Sequence, residues 1–109
     1  MNKPKVIMRK QDRIDYVVDG ICEYYGIDSN EFLRRARTDR RYKRKRIAIK
    51  ILRDIADCSF KDIKYAFDNK SEANIWYIYD GITEDLNSGN GCKMEVKKEY
   101  ADIVKFLGV

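Results

Sequence analysis

The chain has 109 residues, of which 44% are hydrophobic and 38% charged, enough for one modest core in a strongly charged single domain. It has no histidine, so it brings no imidazole for triad chemistry, metal ligation or a proton shuttle near neutral pH. Its net charge is +5, and the charge is unevenly placed: residues 34–46, RRARTDRRYKRKR, hold nine basic side chains and one acid, while the rest of the chain carries 14 basic against 17 acidic residues.

Residues 1–11 show no periodicity and read as a flexible basic arm, with a single helical domain over 12–109. From Asp12 the apolar residues Ile14, Val17, Val18, Ile21 and Tyr25 form one helical stripe. Gly26 ends that helix, because glycine takes the left-handed cap conformation without steric cost. Asp28-Ser29-Asn30-Glu31 reads as a capping box opening a short helix with Phe32, Leu33 and Ala36. Thr38 or Asp39 caps the next helix, whose core stripe is Ile47, Ala48, Ile51, Leu52 and Ile55 and whose first turns are the basic segment. Ser59, with Asp62 three residues on, caps another short helix with Ile63, Ala66 and Phe67 inward. Asp68-Asn69 is a turn signal. A longer helix follows from about Ser71 with Ile75, Ile78, Tyr79, Ile82 and Leu86 on its stripe. Residues 87–91, NSGNG, form a flexible loop. A last helix from about Lys93 turns Val96, Tyr100, Ile103, Val104 and Leu107 inward. The sum is an all-α fold, an orthogonal bundle of about six helices.

The cysteines, Cys22, Cys58 and Cys92, are widely spaced and form no CxxC pair, so they read as reduced, small apolar fillers in an intracellular protein. No apolar run reaches the ~18 residues of a membrane span, and Val6-Ile7-Met8 is too short for a signal peptide. The expectation is a cytoplasmic protein without cofactor, metal or catalytic site, since no nucleophile–base pair or metal cluster stands out.

The stretch from Ser59 to Leu86 is short helix, tight turn, longer helix, the layout of a helix-turn-helix whose second helix enters the major groove. The basic segment lies one helix earlier. A lysine and arginine cluster of that density binds duplex DNA by releasing the counterions condensed on its phosphates. Tyr24, Tyr25 and Tyr65 are expected in the core or at its edge. Trp76 is expected to pack beside the core stripe rather than to touch a base, and Tyr77 lies off the stripe. The run Trp76-Tyr77-Ile78-Tyr79 is unusually aromatic for a groove helix and offers an alternative surface for a protein partner.

The words CEYYGIDSNEFL, RRARTDRRYKRKRIAIKIL and CSFKDIKYAF, over Cys22 to Leu86, resemble the C-terminal DNA-binding domain of the bacterial chromosomal replication initiator, DnaA. The tail KKEYADIVKFL resembles that family's closing helix. The resemblance implies a helix-turn-helix module that grips backbone and minor groove at the start of the long helix. Lys43 and Lys45 match those positions, with Arg37, Arg40 and Arg41 nearby. The family signature GGRDHTTV opens the recognition helix, and here that stretch reads DNKSEANI. Lys70 keeps the basic residue and Ile75 the core position, while Ser71, Glu72, Ala73 and Asn74 replace the base-reading residues. Lysine at 70 lacks the bidentate fork of arginine, Glu72 faces cytosine amino groups or is repelled by phosphates, and Asn74 can pair with adenine. The resemblance thus implies duplex DNA binding with an altered or relaxed preference, Lys70, Ser71, Glu72 and Asn74 lying at the major groove. The alternative is an interaction or structural module that kept the fold and lost DNA reading. The family's ATPase motif, GxxxxGK[ST], does not occur, which suggests a phage or mobile-element accessory of the nucleoid or virion.

Overall fold

A computed structural model describes residues 9–33, 39–67, 71–88 and 93–108, with the backbone alone of 39–43. The described residues form six helices: α1 (Lys10–Tyr25), α2 (Ser29–Leu33), α3 (Asp39–Asp54), α4 (Phe60–Ala66), α5 (Glu72–Asn87) and α6 (Met94–Leu107). The fold is an all-α bundle, as the periodicities require. Among the described residues, no helix is long and apolar enough to cross a membrane.

Local chemistry sets the helix ends. Gly26 closes α1 at φ 70° and ψ 41°, and the Ile27 N–H donates to the Cys22 carbonyl at 2.9 Å, which satisfies a terminal carbonyl. The helix begins at Lys10, inside the segment read as an arm, and residues 1–8 lie outside the described residues. The Asp28 carboxylate accepts from the Glu31 N–H at 3.1 Å and starts α2. At α4 both halves of a capping box form: the Asp62 N–H donates to Ser59 Oγ at 3.1 Å, and the Ser59 N–H donates to Asp62 Oδ2 at 3.0 Å. Ser71 caps α5 by accepting from the Asn74 N–H at 3.1 Å. The expected turn at Asp68-Asn69 lies outside the described residues, as does most of the NSGNG loop.

Helix α3 is the hub and packs against α1, α4 and α5, while α6 closes the bundle against α1 and α5. Its central residues Ile47, Ala48, Ile49, Ile51 and Leu52 are all at most 1% exposed. A one-sided stripe leaves Ile49 outside; the structure buries it because α3 has neighbours on several sides. Ile55, placed on the stripe by spacing, is only half-buried because it lies just past the last turn. Around α3 gather Ile14, Val17, Val18 and Ile21 of α1, Ile63 of α4, Ile75, Ile78 and Ile82 of α5, and Ile103 and Leu107 of α6. Val96, Tyr100 and Val104 of α6 pack against this core half-buried. Cys22 and Cys58 are buried free thiols. Burial, then Asp19 and Asp28, push the Cys22 thiol up to about 11, which leaves it unreactive near neutral pH.

Candidate nucleic-acid interface

Helices α4 and α5 pack on each other and both pack on α3, so the helix-turn-helix pair and the helix that carries the basic segment form one unit. In the first turn of α5, Ser71, Glu72, Ala73 and Asn74 are exposed, and Ile75 alone turns inward, 1% exposed. The expected groove residues Glu72 and Asn74 thus stand at an open helix end. Ser71 stands there too, but its hydroxyl serves as the cap. Lys70 and Arg37 lie outside the described residues. Arg40, Arg41 and Lys43 lie on the first turns of the α3 backbone, with side chains outside the described residues.

The structure corrects the expectation at Lys45. This residue is 6% exposed, and its Nζ lies 5.9 Å from the centroid of the Phe67 ring. α3 is already sinking into the bundle here, and Phe67 closes α4 beside it, packed edge to face with Phe32 at 5.8 Å. An ammonium so covered is not presented to a phosphate. The neighbouring cations are also engaged. The Arg44 guanidinium sits over the Tyr25 ring at 4.4 Å, and the Tyr25 hydroxyl donates to the Glu99 carboxylate of α6. Burial first, then this hydrogen bond, push the Tyr25 phenol up. Arg46 Nη1 donates to Asp85 Oδ2 at 2.8 Å, and Lys93 reaches the same carboxylate at 3.3 Å. Burial alone raises the Asp85 carboxyl, but its hydrogen bonds to Arg46 and Lys93 outweigh that and hold it below the usual carboxylate range. The basic segment therefore divides. Residues 44–46 anchor α3 to its neighbours, and the segment's other six basic residues fall in 34–43.

The exposed side of α5 beyond its first turn carries no cation. Helical spacing places Ala73, Trp76, Tyr77, Asp80, Glu84 and Asn87 on one outer stripe, and all are exposed. Trp76, expected to pack beside the core stripe, is 44% exposed and meets Tyr77 edge to face at 5.3 Å, because its place on the helix faces away from α3 and α4. Tyr77 is exposed, as its position off the stripe implies. Tyr65, expected at the core edge, is also turned out, 66% exposed, with Lys64 Nζ over its ring at 4.9 Å. Tyr25 is half-buried as expected, whereas Tyr24 sits at the rim against Tyr25 and Phe106.

Sequence reading missed a second group of cations. Lys61 and Lys64 stand on α4, and Lys10, at the start of α1, pairs with Asp62 of α4 at 3.1 Å. Lys61 and Lys64 lie three residues apart on α4, and the packing of the start of α1 beside α4 adds Lys10. Among the described residues, no group of cysteine and acidic side chains stands together as metal ligands would. No protein-family model, curated protein or solved structure matches this chain.

Proposed function

We propose that this chain binds duplex DNA through the basic segment that leads into α3 and through the first turn of α5, with a relaxed sequence preference. The observation that carries the reading is charge density: six bases and one acid in residues 34–43, which lead into and begin the helix that packs on both α4 and α5. Residues 34–43 hold phosphates in this arrangement, with Arg37, Arg40, Arg41 and Lys43 as the principal contacts. The N-terminus of the 16-residue α5 adds a positive dipole end. Lys61 and Lys64 on α4 supply backbone contacts where the first helix of such a pair crosses the strand.

Relaxed preference follows from what α5 offers to a groove. Glu72 and Asn74 are its exposed hydrogen-bonding side chains in the first turn besides the capping Ser71. One turn further on, Trp76, Tyr77 and Asp80 take over, and a carboxylate there repels phosphate. Helix α5 can therefore present its tip to the major groove but not lie along it, and few base edges come within reach. The resemblance to the replication-initiator domain agrees with a backbone grip kept and a reading code altered.

Selection from random duplexes at about 50 and about 200 mM salt tests the proposal. Retention at low salt with a weak or absent consensus, lost at the higher salt, is the expected result. No duplex retained at low salt overturns it.

A further inference from the structure

We propose that the outer stripe of α5 docks the basic segment, residues 34–43, of a second copy of the chain, so that copies associate head to tail. The stripe has two parts. Trp76 and Tyr77 expose aromatic surface, 44% and 68%. One and two turns along stand Asp80 and Glu84, both exposed and four residues apart. Like charges at that spacing repel within a helix. Neither has an ion pair among the described residues, whereas Asp54, Asp62 and Asp85 each hold a lysine or arginine of their own chain.

The rings show the same contrast. A lysine or arginine lies over each of Tyr25, Phe60, Tyr65, Phe67 and Tyr79. Trp76, the chain's single tryptophan and the ring type that binds cations best, has no cation over it among the described residues and meets Tyr77 edge to face. The stripe thus lacks an arginine-rich partner, aromatic at one end and anionic at the other. The chain carries that partner itself: residues 34–43 hold six basic side chains against one acid, a net charge of +5, and five of the six are arginine. Guanidinium groups stack on indole and phenol faces and pair with carboxylates, so one such segment satisfies both halves of the stripe.

Donor segment and acceptor stripe are different surfaces, so the contact is heterologous and each copy can hold one neighbour on either side. The net charge of +5 opposes association at long range, which makes the contact weak and concentration-dependent. The proposal uses the segment assigned above to phosphates but does not need DNA. A duplex then competes with the neighbouring copy for the same cations.

The test is sedimentation of the full chain without DNA, at rising concentration and at about 50 and about 500 mM salt. Average mass should rise with concentration at low salt and fall back at high salt, with Trp76 emission shifting in step. Two variants should each stay monomeric: one carrying Asp80→Ala and Glu84→Ala, the other Arg40→Ala, Arg41→Ala and Lys43→Ala. Their equimolar mixture has one intact stripe and one intact segment, and should form dimers and nothing larger. Circular dichroism checks that both variants are folded. A wild-type chain monomeric at every concentration in low salt overturns the proposal. So does assembly that survives the stripe substitutions, which assigns it to another face, and so does an emission shift without a mass change, which places the segment on its own α5. Because these arms contain no DNA, their failure leaves the DNA-binding reading standing, and failure to bind duplex leaves these arms intact.

Discussion

Lys43 and Lys45 belong to one run of cations, yet the proposed DNA binding gives them opposite roles. Lys45 is shielded against Phe67, so Lys45→Met keeps most of the packing and should leave both duplex affinity and its salt dependence unchanged. Lys43→Ala should weaken every sequence alike and reduce the log–log salt slope by about 0.9, one phosphate's share. Binding isotherms at several salt concentrations separate the two. At the α5 tip, Ser71 caps through the Asn74 N–H, so Ser71→Ala should cost about 1 kcal/mol in urea unfolding and Ser71→Thr much less. Residue type alone distinguishes neither pair of roles. Lys43 and Lys45 look alike in sequence, and the burial of Lys45 follows from the depth at which α3 enters the bundle there. Trp76 shows the same dependence on packing: an indole reads as core until its side of α5 is seen to face away from α3 and α4.

Helix α3 meets α5 along a polar seam outside the apolar core. Arg46 reaches Asp85, and Lys50 binds both Asp54, at 2.5 Å, and the Thr83 hydroxyl, at 2.9 Å. Asp85→Ala strands the Arg46 guanidinium where its side chain is 17% exposed, and should cost about 1–2 kcal/mol in urea unfolding. The seam also sets the acid response. Burial raises the Asp54 and Asp85 carboxyls, but hydrogen bonds and charge from Lys50, Tyr79, Arg46 and Lys93 lower them further; at Asp62 the Ser59 cap and Lys10 do the same. A folded value below the unfolded one gives stability that is complete above the unfolded value, near 3.9, and is lost as pH falls through the folded one. Urea midpoints should therefore hold steady down to about pH 5 and decline below about pH 4, and Asp85→Asn should flatten part of that decline. The helices themselves were legible in the sequence because their signals are local: the Gly26 cap, the Ser59–Asp62 box and the α5 stripe all fall where spacing put them. The all-round burial of Ile49 was not, because it depends on which elements surround α3.

For the whole molecule, the governing quantity is the separation of charge between a strongly basic segment and a remainder of net −3. With no histidine, no side chain titrates at its ordinary value between about pH 5.5 and 7, so duplex affinity at fixed salt should change less than about twofold across that range. The basic segment 34–46, the proposed site, was legible from composition alone, but the withdrawal of residues 44–46 from it was not, because it depends on what packs around α3. The measurement that tests the central claim most directly is duplex affinity against salt for the wild-type chain beside a folded variant carrying Arg37→Ala, Arg40→Ala, Arg41→Ala and Lys43→Ala. If these four side chains neutralise four phosphates, the wild-type log–log slope is steeper than the variant's by about 3.6, and the variant loses affinity with it, keeping only the share of Lys61 and Lys64. A wild-type chain that binds no duplex at about 50 mM salt, or a variant that keeps both affinity and slope, contradicts the account.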